Sequence, residues 1–119
     1  MSFLSQTIMK TYKLILVVLL AACATVSQRP EISGATYDRF HCNYKQAEAG
    51  WAKQGNFDLG DPVCEVIGYY GDPEYVGESH AVYGSLLDLR WQAGRVQYLF
   101  EQKGDGPWLV TSKNIIEGE

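Results

Sequence analysis

Histidine, cysteine and positive charge are all scarce in this chain. Its 119 residues include two histidines, His41 and His80, and three cysteines, Cys23, Cys42 and Cys64. No Cys-x-x-Cys or His-x-x-x-His spacing occurs, and zinc sites are usually read from such pairs. Ser79-His80 is adjacent in sequence, but neighbouring side chains on a strand point to opposite faces. No glycine-framed serine turn accompanies it. Asp72 and Glu74 stand in a Gly-Pro loop, where acidic residues are ordinarily solvated. The chain therefore reads as a non-enzyme, with no catalytic residue, no cofactor and no metal site. No apolar run approaches the roughly 20 residues of a spanning helix. Internal repeats and low-complexity tracts are also lacking.

The longest apolar run covers residues 14–22, read as LILVVLLAA. Lys10 and Lys13 precede it, and the small residues Ala21 and Ala22 lead into Cys23. A basic start, an apolar middle and a small-residue end form the layout of a secretory signal. Leu20-Ala21-Ala22-Cys23 resembles the lipobox of bacterial lipoproteins. The resemblance implies cleavage before Cys23 and lipidation of its thiol, so the membrane is a partner through acyl chains. Two or more chains anchor stably, at about 0.8 kcal/mol per buried methylene. In enterobacterial lipoproteins an Asp after that cysteine marks inner-membrane retention. Ala24 stands there instead, which points to the outer membrane and a periplasm-facing domain. Met9-Lys10 would itself serve as a start.

Residues 1–22 are thus expected to be a signal, 23–36 a lipidated flexible tether, and 37–119 one small domain. Two of the ten basic residues, Lys10 and Lys13, precede Cys23, and all fourteen acidic residues follow it. Eight positive against fourteen negative leaves −6. Nucleic acid is excluded as a partner, because no basic stripe remains to neutralise phosphates. Adhesion to anionic lipid through protein charge is disfavoured for the same reason. Ser27, Gln28, Arg29, Pro30, Ser33 and Gly34 dominate the tether, which cannot bury enough surface to offset ordering.

Within the domain, Tyr37, Phe40, Tyr44, Ala47 and Trp51 recur at spacings of three and four. That periodicity predicts one helix over residues 37–53, capped by Thr36 and ended near Gly55. Asp61 as N-cap and Pro62 at the first helical position predict a second helix. Its apolar face is Val63, Val66, Ile67 and Tyr70, and Gly71-Asp72-Pro73 ends it. The period then changes to two. Leu87, Leu89 and Trp91, then Val96, Tyr98 and Phe100, then Trp108 and Val110 mark three strands joined by glycine-containing turns. The fold class is α+β: two helices followed by a three-stranded antiparallel meander, helices on one face.

Leu59-Gly60-Asp61-Pro62, Val66 in the helix, and Tyr70-Gly71-Asp72-Pro73 together resemble the BamE/SmpA outer-membrane lipoproteins. Gly60, Val66, Gly71 and Pro73 match that pattern in order, over residues 57–110. Asp61-Pro62 replaces the usual Met-Thr, and Tyr70 the usual Leu. The resemblance implies two helices, a three-stranded sheet and an assembly role in the envelope. Inhibitors of the β-lactamase-inhibitor type share that layout, so the layout alone does not choose a function.

Cys42 and Cys64 read as a disulfide in an oxidising compartment, in preference to a metal site with His41 and His80. A bond needs Cα atoms within about 7 Å. On a helix running from Tyr37, Cys42 would lie nearly opposite the apolar stripe, which argues for a later helix start. Tyr69 and Tyr75, flanking the Gly-Asp-Pro turn, are candidate contacts for a protein partner. Three functions compete: an envelope structural or assembly lipoprotein that binds a protein, a ligand-binding or hydrolase-inhibitor module, and a small envelope enzyme. A cleft between sheet and helices favours the second, and a flat exposed Tyr/Trp patch favours the first. The third requires His80 to meet a carboxylate and a nucleophile in a pocket.

Overall fold

The computed structural model describes residues 28–117. Cys23 and the signal segment lie outside them. The chain forms α1 (Gly34–Phe40), α2 (Tyr44–Ala52), α3 (Val63–Tyr70), β1 (Tyr75–Ala81), β2 (Gly84–Trp91), β3 (Val96–Gln102) and β4 (Leu109–Ile115). It is an α+β fold with helices preceding an antiparallel sheet, as the change of period implies. It has one helix and one strand more than the sequence predicts.

The extra helix arises because residues 37–53 are not one helix. Ser33 caps α1, its side chain accepting from the Thr36 N–H at 3.2 Å. His41 then adopts a left-handed conformation with φ 55° and ends it. Asn43 and Gln46 form a reciprocal capping box at the start of α2, with bonds of 2.9 and 3.0 Å. Such a box satisfies two otherwise orphaned amides, which favours a new helix over continuing the old one. The break lifts Cys42 into a corner between helices, and Tyr44 becomes 64% exposed instead of joining the core.

Residues 28–36, expected within the tether, pack on the domain. The Arg29 guanidinium donates to the Tyr44 hydroxyl at 3.0 Å and covers its ring at 4.8 Å. Ile32 packs against the core. The Ser33 N–H donates to the Asp72 carboxylate at 3.0 Å. Gly71, with φ 87°, lies against Pro30, whose Cβ would be 2.9 Å from any added Cβ.

The second predicted helix forms one residue later than drawn, with Pro62 as N-cap. Asp61 is occupied elsewhere. Its carboxylate accepts from the Asp58 N–H at 2.9 Å and meets Lys53 at 3.1 Å. The stretch before α3 runs along the edge of β4. Gly60 donates to the Val110 carbonyl at 2.8 Å, Val110 to the Asp61 carbonyl at 2.9 Å, and Val63 to the Trp108 carbonyl at 3.0 Å.

The sheet order is β1-β2-β3-β4, every pair antiparallel. β1 escapes sequence reading because Gly77, Glu78, Ser79 and His80 show no apolar alternation. Pairing to β2, from Tyr75 opposite Arg90 to Ala81 opposite Gly84, makes it a strand. Leu87, Leu89, Trp91, Val96, Tyr98, Phe100 and Val110 point to the helix side and form the core with Phe57, Val66 and Ile67. The Trp91 indole N–H is satisfied by the Gly71 carbonyl at 2.9 Å. The Tyr98 hydroxyl titrates far above the usual phenol range, first because it is buried and then because the Tyr70 hydroxyl adjoins it.

The helices approach one another through glycine. A Cβ on Gly50 would sit 1.8 Å from the Glu65 carbonyl oxygen, and one on Gly68 would sit 2.2 Å from that of Ala47. Backbone rests on backbone, so no side chain can turn aside to make room. Overpacking of this kind costs about 3 kcal/mol. Gly68→Ala is therefore expected to lower unfolding free energy by about that amount, read as a lower urea midpoint at an unchanged denaturant slope. A neutral substitution would show that the helices separate at no cost.

Candidate functional site

Strand alternation divides the sheet into two faces, and the described helices cover only one. The other carries Tyr75 and Gly77 from β1, Leu86, Asp88 and Arg90 from β2, and Gln97 and Leu99 from β3, as the register requires. Asp88 is the polar centre of this open face. Arg90 clasps it in a two-pronged contact, Nε to Oδ1 at 3.2 Å and Nη2 to Oδ2 at 2.9 Å. Gln97 Nε2 adds a donor at 3.2 Å. The Arg90 hydrogen bonds, with that of Gln97 and the Arg90 charge, hold the Asp88 carboxyl below its usual range against the opposing effect of burial.

Arg90 also lies under the Tyr75 ring, 4.7 Å from its centroid. A cation over an aromatic face is attracted to its negative centre. Tyr75 in turn extends over Gly77, its hydroxyl 2.8 Å from where a Cβ would be. The ring is thus fixed at both ends while remaining 48% exposed. Tyr75, Gly77, Leu86, Asp88 and Leu99 line a shallow groove of about 370 Å³. Leu86 is 47% exposed in its floor, and beyond it the turn residues Val82 and Tyr83 are 97% and 93% exposed. An apolar patch rimmed by ordered polar groups has the make-up of a protein contact surface.

The two tyrosines singled out from the sequence do not meet. Tyr69 projects from α3 on the helix side of the sheet. It packs on Trp51 at 5.5 Å, Tyr70 at 4.8 Å and Phe57 at 6.1 Å between ring centroids. Tyr75 is on the opposite face. Sequence reading missed Leu86, Arg90 and Leu99 as companions of Tyr75. Their signal was the outward-facing half of the strand alternation, where Leu86 and Leu99 are apolar on a side that lacks a cover.

Cys42 and Cys64 stand at disulfide distance, with sulfurs 2.10 Å and Cα atoms 5.4 Å apart. The helix break before α2 makes this possible. Beside them a cleft of about 520 Å³ opens between the α1–α2 corner, the start of α3 and the β3–β4 turn. Its lining includes His41, Gln46, Gln102, Asp105 and Trp108.

His80 does meet a hydroxyl and a carboxylate. Its Nδ1 lies 2.7 Å from Ser85 Oγ and its Nε2 lies 3.5 Å from Glu78 Oε2. This trio spans the β1–β2 hairpin, with Glu78 and His80 exposed on β1 and Ser85 half-buried beside them on β2. A catalytic triad works with an oxyanion site and a dry, fixed geometry, and an exposed hairpin supplies neither. Among the described residues, no cluster of three or more histidine, cysteine or acidic side chains could hold a metal ion. No described helix is long and apolar enough to cross a membrane.

Compared with protein-family models, curated proteins and solved structures, the chain matches none of them. The site must therefore be read from its own geometry.

The clasp at Asp88 is testable by titration. A carboxyl whose folded pKa is depressed adds stability above its unfolded value, near 3.9. That stability is lost as pH falls through the folded value. Arg90→Gln is expected to raise the Asp88 pKa towards the ordinary range, measured by carbon-detected NMR titration. It should also flatten the loss of stability below pH 4. An unmoved Asp88 pKa would show that Gln97 and solvent suffice.

Proposed function

We propose that this chain is a bacterial envelope lipoprotein, anchored to the outer membrane through lipid on Cys23, whose domain docks a protein partner on the open face of its sheet. One observation carries the docking reading: the face left open by the described helices has a groove in which Leu86 and Leu99 flank the ordered Asp88, with an aromatic ring pinned at its border. Holding Tyr75 between Arg90 and Gly77 before contact reduces the entropy lost on binding. The anchor rests on Leu20-Ala21-Ala22-Cys23 and the apolar run before it. The envelope partner is a protein rather than nucleic acid, given the acidic balance of the chain beyond Cys23. Cys42 and Cys64 at disulfide distance fit an oxidising compartment.

An assembly role of the BamE/SmpA type rests on Gly60, Val66, Gly71 and Pro73. Three helices and four strands depart from the architecture which that resemblance implies, so the motif matches are its support. A second reading, a ligand-binding or hydrolase-inhibitor module, is favoured by the cleft beside Cys64. Trp108 supplies an apolar wall there, and His41, Gln46 and Asp105 supply polar ones.

Two measurements test the proposal. Cys23→Ser should move the protein from the membrane to the soluble fraction and leave the signal uncleaved; unchanged fractionation would remove the anchor. A photo-reactive amino acid at Leu86 or Leu99 should form adducts with a discrete envelope protein in intact cells. The same group at Ala49, exposed on α2, should not. Adducts only from positions around the cleft, such as Gln46 or Asp105, would favour the second reading.

A further inference from the structure

The outer strand and the turn that follows it read almost identically in both directions. Residues 75–83 are Tyr-Val-Gly-Glu-Ser-His-Ala-Val-Tyr. About Ser79, Tyr75 mirrors Tyr83, Val76 mirrors Val82, and Gly77 mirrors the similarly small Ala81. The one mirrored pair that is unlike, Glu78 with His80, is complementary in hydrogen bonding, an acceptor facing a ring N–H. β1 has a single neighbour, β2, and among the described residues nothing pairs with its outer edge.

We propose that β1 is a self-association edge: two copies pair β1 to β1, antiparallel about Ser79, joining two four-stranded sheets into one. A free edge offers a row of unpaired amides and carbonyls that templates another strand. Identical strands meet most simply about a two-fold axis, which makes the contact self-complementary. In the Ser79-centred register, Glu78 of each copy lies directly opposite His80 of the other, twice per dimer. Slipping the axis to Glu78 would oppose two carboxylates, and slipping it to His80 would oppose two imidazoles. Two carboxylates directly opposite repel, and two opposed imidazoles forgo the carboxylate acceptor that the Ser79 register gives each, so these two residues select the register.

The local structure prepares His80 for this contact. In a single copy Ser85 Oγ on β2 lies 2.7 Å from Nδ1, which fixes the ring, and Nε2 faces Glu78 of its own strand at 3.5 Å, a contact that pairing would exchange for Glu78 of the second copy. The same register accounts for the exposed turn. Val82 and Tyr83 would come beside Val76 and Tyr75 of the second copy, covering side chains that are 97% and 93% exposed in one copy. The edge lies at right angles to the open face, so pairing leaves the groove at Leu86 free.

Cysteine cross-linking of the full-length chain in its own envelope tests this. Ser79→Cys puts a thiol at the two-fold axis and should give a band of twice the monomer mass on a non-reducing gel. The parent chain and Thr111→Cys, exposed on β4, should not. Adding Glu78→Lys or His80→Glu to Ser79→Cys should each lower cross-linking about tenfold, since the first removes the acceptor opposite His80 and the second opposes two carboxylates. Co-expressing those two double variants should restore it, because each altered side chain then meets an opposite charge in the other copy. All three positions are exposed, so folding is not at stake. Absence of the band, a band indifferent to Glu78→Lys, or no restoration on mixing would overturn the proposal.

Discussion

The contact of α2 with α3 at Gly50 and Gly68 sets the shape of everything else. Two helices whose backbones touch present a single, nearly flat layer. Cys64 then sits close enough to the corner at Cys42 to tie α1 to that layer. Lys53 ties the end of α2 to the start of α3, meeting Glu65 on α3 and Asp61 before it. Its ammonium pKa is raised chiefly by the Glu65 hydrogen bond, with desolvation opposing. The described helices are thereby gathered on one side, over Trp91, Tyr98 and Phe100. The other side of the sheet is left to water or to a partner.

The sheet's two edges are treated differently. At β4, the residues leading into α3 make three main-chain bonds, two of which form the bridge between Pro62 and Leu109. That edge is partly closed by the protein itself. Among the described residues β1 has no such cover. Natural sheets blunt open edges with charge, proline or bulges. β1 has charge alone, at Glu78 and His80, in an otherwise small and apolar stretch. An acidic chain with one open edge is protected from indiscriminate stacking by repulsion, and admits only strands with a matching charge order.

Much of the fold was legible because burial writes periodicity. Leu87-Leu89-Trp91 and Val96-Tyr98-Phe100 reveal β2 and β3 directly, and Val66 with Ile67 reveals α3. What was missed follows a pattern too. The helix break at His41 depends on the Asn43-x-x-Gln46 box, a local hydrogen-bond exchange that an apolar stripe conceals. The stripe through Tyr37, Tyr44 and Trp51 survives the break on paper, while Tyr44 itself turns outward. β1 carries no inward apolar row because no helix lies over most of it. Phe57, fully buried, sits in a loop fixed by Lys113 donating to its carbonyl at 2.7 Å, and loops carry no period. For the site, sequence reading found Tyr75 but grouped it with Tyr69, since proximity along the chain is a poor guide across a sheet. The disulfide pair was legible from residue count and compartment. The geometry it needs was visible only as a conflict with a continuous helix.

The docking of Arg29, Ile32 and Ser33 on the domain has a consequence for height above a bilayer. Five chain steps separate Cys23 from Gln28, each at most about 3.6 Å long. With lipid on Cys23, the domain cannot stand more than about 18 Å from its anchor point. The end bearing Tyr44, Pro30 and Asp72 would then face the headgroups. A partner would have to approach laterally, within the thin layer just beneath the membrane, and larger assemblies would be met at their membrane-proximal rim.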